Sequence, residues 1–342
     1  MQEVLKKYGF AEGNCSVRAL GNGLINTTWL LERQARKYVL QRINQQVFQS
    51  PEAIADNLQL LANYFKKDHP AYLFTAPLPA LNGDHLVKTT DGYFRLFSFV
   101  EGSHTIDVVE NAEQAYEAAK QFGKFTRLLS GFDAGRLKIT LPDFHNLSLR
   151  YRQFEEALVN GNAARIKEAT ALISFIKTNS NIVDEFEKSK AGLTLRCIHH
   201  DTKISNVLFD RTGKGLCVID LDTVMPGYFI SDVGDMMRTY LSPVSEEERD
   251  FTKIRVRREI YKAIEDGYLS EMEAELTSTE KKYFHFSGMF MIYMQALRFL
   301  TDHISNDAYY GAKYEGHNFV RAGNQVTLLQ RLMEFNPGGM SV

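Results

Sequence analysis

Two aspartates nineteen positions apart, Asp201 and Asp220, bracket the stretch that most limits how this chain can fold. Between them run Val207-Leu208-Phe209 and Leu216-Cys217-Val218-Ile219, apolar stretches on either side of Asp210-Arg211-Thr212-Gly213-Lys214. Short apolar runs around a turn-forming pentapeptide predict a buried β-hairpin. A hairpin returns the chain to its starting point, so both acids are expected at one end of it.

The residue types suit phosphoryl transfer. In His199-His200-Asp201-Thr202-Lys203-Ile204-Ser205-Asn206, Asp201 and Asn206 stand five apart, the spacing of an H-x-D-x-x-x-x-N catalytic loop. An acceptor hydroxyl must lose a proton as it takes the phosphoryl group, and Asp201 is the candidate base or orienting carboxylate. A triphosphate such as ATP travels with Mg2+, a hard cation that takes oxygen ligands, and Asn206 and Asp220 are the candidate pair. Lys203 is read two ways, as a side chain reaching the moving phosphoryl group or as a solvated lysine. A His-Asp phosphohydrolase core would also contain His200-Asp201, but its ligands sit on helices, and residues 193–198 read as a strand. Cys197, His199 and His200 lack the C-x-x-C or H-x-x-x-H spacing of a zinc site. The blandest alternative makes Asp201, Asn206 and Asp220 plain turn residues. Three positions matched at fixed spacing around a hairpin argue against it.

Residues 1–97 look strand-rich with one helix. Strands are expected over 17–20, 25–31, 37–43, 86–87 and 93–100, with a turn around Gln34. Ser50-Pro51 opens a helix to about Lys67, with Ile54, Leu58, Leu61 and Phe65 on one face. Residues 98–102 read as a hinge, broken by Glu101-Gly102. Main-chain groups near Ser98 and Val100 are candidates to bond an adenine edge; a plain central strand fits the composition equally. From 103 the chain turns mainly helical, with helices expected over 111–129, around 152–158 and 163–177, and over 246–267, 279–303 and 322–335. No βαβ alternation is present, so a parallel sheet is not expected. The fold class that follows is α+β, bilobal and protein-kinase-like. It has a small β-rich nucleotide lobe (1–97), a hinge (98–102) and a large helical lobe (103–342).

Composition narrows the partners. Lys and Arg total 40 against 42 Asp and Glu, a net charge of −2, so neither nucleic acid nor an acidic membrane is expected as a partner. Three cysteines, Cys15, Cys197 and Cys217, are too sparse and odd in number for a secreted disulfide framework. The last two lie in apolar strand-like runs, where cysteine acts as a small hydrophobe. The first residues lack a signal-peptide core, and the apolar stretch 288–300 is short and broken by Gln295 and Arg298. A cytoplasmic enzyme is the expectation.

Further blocks carry a likeness. They are Gly23-Leu24-Ile25-Asn26-Thr27-Thr28, Tyr38-Val39-Leu40-Gln41, Phe144-His145, His200-Asp201-Thr202-Lys203 with Asn206, and residues 219–227. Asp232-Val233-Gly234-Asp235, Arg298-Phe299-Leu300 and residues 313–318 continue it. Together they resemble the aminoglycoside phosphotransferase and choline kinase superfamily, and within it the N-acetylhexosamine 1-kinases, over nearly the whole chain. The resemblance implies ATP-dependent phosphorylation of the anomeric hydroxyl of N-acetylglucosamine or N-acetylgalactosamine. It also implies that Arg298 and Tyr309 line the sugar site with Asp201. Asp232 is implied to be structural, bonding the catalytic-loop backbone from a helix start.

The pattern departs from protein kinases at one coupled pair. The strand lysine and helix glutamate that hold the donor phosphates would fall at Gln41 and near Asn57, so an amide–amide hydrogen bond is expected in place of the ion pair. The missing cation is left to Arg42, Mg2+ or Lys203. Gly21-Asn22-Gly23 is read as the phosphate cover, although a two-glycine turn is also an ordinary hairpin. Asn26, Thr27 and Thr28 are candidate donors beside it. Asp220 and Asp232 are only twelve apart, too close for a peptide-holding activation segment, so the substrate is expected to be small. Two other readings stay open: another acceptor on the same fold (an aminoglycoside, choline or other small alcohol), or a catalytically silent nucleotide-binding module.

Overall fold

The computed structural model describes residues 1–11, 13–20 and 25–338, so Gly21 and Gly23 lie outside the described residues. A short helix, α1 (Gln2–Lys7), precedes β1 (Ser16–Ala19), β2 (Thr27–Arg33) and β3 (Arg36–Ile43). Gln34 takes the left-handed backbone of the β2–β3 turn, φ 55°. After α2 (Pro51–Asp68) come β4 (Pro77–Leu78), β5 (Val87–Thr89) and β6 (Gly92–Ser98). The strands form an antiparallel sheet in the order β1-β2-β3-β6-β4, with β5 also on β6. Its register sets Gln41 opposite Thr28 on one side and Arg95 on the other. Side chains directly opposite share a face, so these three form a polar row across the sheet. The reverse face carries Leu40, Phe94 and Leu96, which pack with Val4, Phe10 and Val87 into a small core beneath α1.

The expected helix over 50–67 forms as α2, although Ser50 makes no side-chain cap. Its apolar stripe does not join the sheet's core. Ile54, Leu58, Leu61 and Phe65 belong to the large core shared with Phe122, Phe125 and Val224. β6 ends at Ser98, earlier than expected, because the chain turns: the Val100 carbonyl accepts both the N–H and the hydroxyl of Ser103.

The rest is mainly helical. The Asn111 side chain caps α3 (Ala112–Leu128), and α4 (Leu147–Asn160), α5 (Ala163–Glu168), α6 (Thr170–Thr178) and α7 (Asn181–Ser189) follow. The helix expected over 163–177 is thus two, broken at Ala169. β7 (Arg196–Ile198) leads to the hairpin β8 (Val207–Phe209) and β9 (Gly215–Val218), and β7 itself pairs with β10 (Met225–Gly227). Then come α8 (Phe229–Tyr240), α9 (Arg258–Met272), α10 (Ser278–Lys282), α11 (Phe284–Ile304) and α12 (His317–Glu334).

The helix expected from 246 begins only at Arg258. The charged run before it is held by tertiary bonds instead: Glu246 meets Arg238 and Arg321, and the Ser245 and Glu248 carbonyls accept from Asn324. α8 and α11 cross closely because glycines face each way. A methyl group on Gly234 would collide with the Ser287 carbonyl, and one on Gly288 with Met237. The architecture is α+β and bilobal, with a sheet-based lobe set on a helical one. Among the described residues no helix is long and apolar enough to cross a membrane.

Candidate active site

The loop from His199 to Asn206 lies over the start of α8. Asp232, fully buried in the first turn of that helix, accepts the backbone N–H of His199 at 3.0 Å and of His200 at 2.7 Å. Asp235, one helical turn on, accepts the Thr202 N–H at 2.8 Å, and Tyr240 donates its hydroxyl to the Thr202 carbonyl at 2.6 Å. The Thr202 hydroxyl in turn donates to the Asp232 carbonyl. Arg238 pairs with both Asp235 and Glu246, and Glu246 with Arg321 on α12, so the acids under the loop are neutralised from the helical side.

Above this support, Asp201 accepts from the Asn206 amide at 3.1 Å and ion-pairs with Lys203 at 3.0 Å. Burial would raise its carboxyl pKa, but Lys203, His199 and the Asn206 amide outweigh that and hold it below the usual range. Asp201 is therefore ionised at neutral pH. Burial likewise works against the Lys203 charge, and Asp201 and Asp220 overcome it, raising that pKa. Asp220 follows β9 in a left-handed conformation, φ 59° and ψ 58°, that β-carbon residues adopt at some cost. Burial, then the charges of Asp222 and Asp201, push its carboxyl up to about 7, with Lys203 and Arg95 pulling the other way. Among the described residues its side chain has no hydrogen-bond or ion-pair partner. An underneutralised carboxylate beside an amide oxygen is a donor set that fits a hard divalent cation completed by phosphate and water oxygens. Among the described residues no group of three or more His, Cys, Asp or Glu is arranged to hold a metal.

Asn206 and Asp220 line a cavity of about 520 Å³. Thr28, Gln41, Ser98 and Val100 are also in its wall, with Phe97 and Phe99. Thr27 is exposed and outside that wall. Asn26 is buried; its amide donates to Asp222 at 2.8 Å and its oxygen accepts the Asn44 N–H.

The expected amide–amide bond does not form. Gln41 accepts from the Nε and Nη2 of Arg95 at 3.2 and 2.9 Å and donates to the Thr28 hydroxyl. Asn57 faces the other way, its side chain bonding the Lys138 and Val224 carbonyls and the Lys138 N–H. Register explains this: Arg95 is directly opposite Gln41, whereas Asn57 sits on a helix committed to the large core. Arg42, a sequence candidate for the missing cation, is exposed on the opposite face of the sheet. Sequence reasoning missed Arg95, and the available signal was a lone charge in the apolar run 93–100.

Arg298 and Tyr309 meet at 3.4 Å in the wall of a second cavity of about 580 Å³, together with Arg150, Tyr310, Glu156 and Asp302. Arg298 lies over the rings of Phe144, Tyr309 and Tyr310. Phe144 stacks on His145, and His145 faces His200 at 5.4 Å. The structure therefore joins Arg298 to the loop 199–206 through this ring layer and not by contact with Asp201.

A model of the phosphotransferase enzyme family matches residues 16–269. Solved structures share the fold across nearly the full length. The microcompartment-associated aminopropanol kinase is 20% identical with a TM-score of 0.65, covering 97% of this chain and 96% of that one. Spectinomycin phosphotransferase, solved with ADP and spectinomycin, is 13% identical at TM-score 0.60, covering 98% of each chain. Choline kinase from Cryptosporidium parvum is 13% identical at TM-score 0.61, covering 97% and 95%. With the family model covering most of its length, the chain belongs to the phosphotransferase enzyme family.

Proposed function

We propose that the chain transfers the terminal phosphoryl group of ATP, with Mg2+, to the anomeric C1 hydroxyl of an N-acetylhexosamine, N-acetylglucosamine or N-acetylgalactosamine. The observation that carries the reading is the geometry at Asp201, whose carboxylate is held by the Asn206 amide and the Lys203 ammonium. Asn206 and Asp220 would hold Mg2+, which when bound offsets the charge of the donor phosphates. The adenine would take the hinge end of the first cavity, near Ser98 and Val100. The acceptor oxygen attacks the γ-phosphorus, the bond to the β,γ-bridging oxygen breaks, and ADP leaves. Asp201 orients the acceptor hydroxyl and receives its proton as the transfer proceeds. The division into lobes 1–97 and 103–342 around a hinge at 98–102 belongs to this reading.

Two observations support a small, oxygen-rich acceptor. Only a single turn and β10 separate Asp220 from α8, which gives no platform for a peptide. In the second cavity Arg150 and Arg298 balance Glu156 and Asp302, and Asp302 is already engaged by the Tyr309 and Tyr310 N–H groups and Asn318. A polycationic aminoglycoside would need carboxylates in excess. Sugar hydroxyl and acetamido oxygens suit arginine donors, and the C–H faces of a sugar suit the aromatic rings. The known acceptors of the structural relatives, an aminopropanol and choline among them, supply the second reading, another small alcohol at the same site.

A panel of hexoses, N-acetylhexosamines, choline and aminoglycosides with ATP and Mg2+ tests it through ADP release and phosphorus NMR of the product. Turnover with choline or an aminoglycoside and none with N-acetylhexosamines would overturn the sugar assignment. A silent nucleotide-binding module would release no ADP with any of them.

A further inference from the structure

Arg95 and Asp222 form an ion pair at 2.5 Å with the two side chains 2% and 1% exposed. Burying such a pair costs desolvation, and well-packed apolar residues of the same volume are often as stable or more so. Its placement is therefore informative. Arg95 lies in the wall of the cavity that holds Asn206 and Asp220, and is the one lysine or arginine among the described residues of that wall. Lys203 is engaged by Asp201, and Arg42 is on the far face of the sheet.

The guanidinium is held between two side chains. Nη1 lies against Asp222, while Nε and Nη2 donate to Gln41. Nη2 keeps a second N–H beyond the one given to Gln41, while Nη1 is buried against Asp222. Asp222 is itself fixed: its other carboxylate oxygen accepts from Asn26 on the approach to β2, and its carbonyl accepts the Thr140 hydroxyl. It stands two residues beyond Asp220, so the cation and the candidate metal ligand share one short turn, residues 221–223.

We propose that Arg95, held between Asp222 and Gln41, meets the donor phosphates, and that Asp222 is the positioning carboxylate that aims it. The cation has moved one strand across the sheet, from β3 to β6. Its acid has moved from the helix α2 to the turn after Asp220. This rests on the reading of the first cavity as the ATP site and is independent of which acceptor is used.

The test compares binding of Mg·ATP, ADP and adenosine by calorimetry. Removing one charge alone would leave the other buried and unpaired, so the informative variant is Arg95→Gln/Asp222→Asn. ATP and ADP should bind at least ~10-fold more weakly, with adenosine affinity unchanged within about twofold. A second variant, Gln41→Glu, keeps an acceptor on Arg95 while neutralising its charge, and should show the same phosphate-dependent loss in a protein that melts normally. Unchanged ATP affinity in either variant, or an equal loss for adenosine, would overturn the proposal. Failure of the wild-type protein to bind ATP would instead defeat the phosphotransferase reading itself.

Discussion

The Asp232 carboxylate grips His200 directly: Oδ1 accepts the His200 backbone N–H at 2.7 Å and holds that residue at φ 67°. A left-handed histidine is costly, and this bond, with the neighbouring one to His199, fixes the turn that presents Asp201. Asp232→Asn keeps the size but turns an N–H toward one of the two amides. It should lower stability by ~1–3 kcal/mol and reduce kcat more than the KM for ATP, read by thermal melting and steady-state kinetics. Unchanged kcat would mean the loop keeps its shape without this acid.

Asp201→Asn removes the proton acceptor and the Lys203 ion pair while leaving the first cavity's wall intact. Turnover should fall by ~10²–10⁴-fold with ATP affinity within about threefold of wild type. Wild-type-like turnover would exclude Asp201 from the chemistry.

Asp220→Asn and removal of Mg2+ by EDTA should have matching effects. Each should abolish turnover, and the variant should lose the rise in melting temperature that MgATP gives the wild type. A variant still stabilised by MgATP to the wild-type extent would contradict a ligand role for Asp220.

Acid should weaken the fold through His200. Burial lowers its imidazole pKa from 6.5 to about 3. Between those values the unfolded chain binds a proton that the folded chain does not, so acid favours unfolding. The contribution is complete above pH ~6.5 and is lost as pH falls, by up to ~1.4 kcal/mol per unit. His145, pushed down by burial and by His200 and Arg298, acts in the same direction. Melting temperatures from pH 7 to 4 should fall less steeply for His200→Asn, a residue that tolerates the left-handed backbone; parallel curves would refute this.

Gly234→Ala should destabilise by ~1–3 kcal/mol, because α8 and α11 would have to separate over the Ser287 carbonyl. The displaced α8 carries Asp232 and Asp235, so activity should drop with stability.

What could be read from the chain alone was local. Val207–Phe209, a turn and a second apolar run were enough for the hairpin, and β2, β3 and β6 form close to where strands were expected. Arg95 and Asp222 could not be matched because 127 positions separate them, and only the strand register and the turn after β9 bring them together. The run 246–257 misled for a related reason. Its acids have helical composition, but Glu246 is claimed by Arg238 and by Arg321, 75 positions on, and the Ser245 and Glu248 carbonyls by Asn324. Asn57 repeats the point, its side chain bonding two backbone segments that no periodicity reveals.

The anchoring of α2 bears on how the first cavity is walled. Asn57 ties that helix to the Lys138 and Val224 carbonyls, and its apolar stripe is sunk among Phe122 and Phe125. The first cavity is therefore walled by Thr28, Gln41 and Arg95 of the sheet on one side and by Leu58, from a helix that belongs to the large core, on the other.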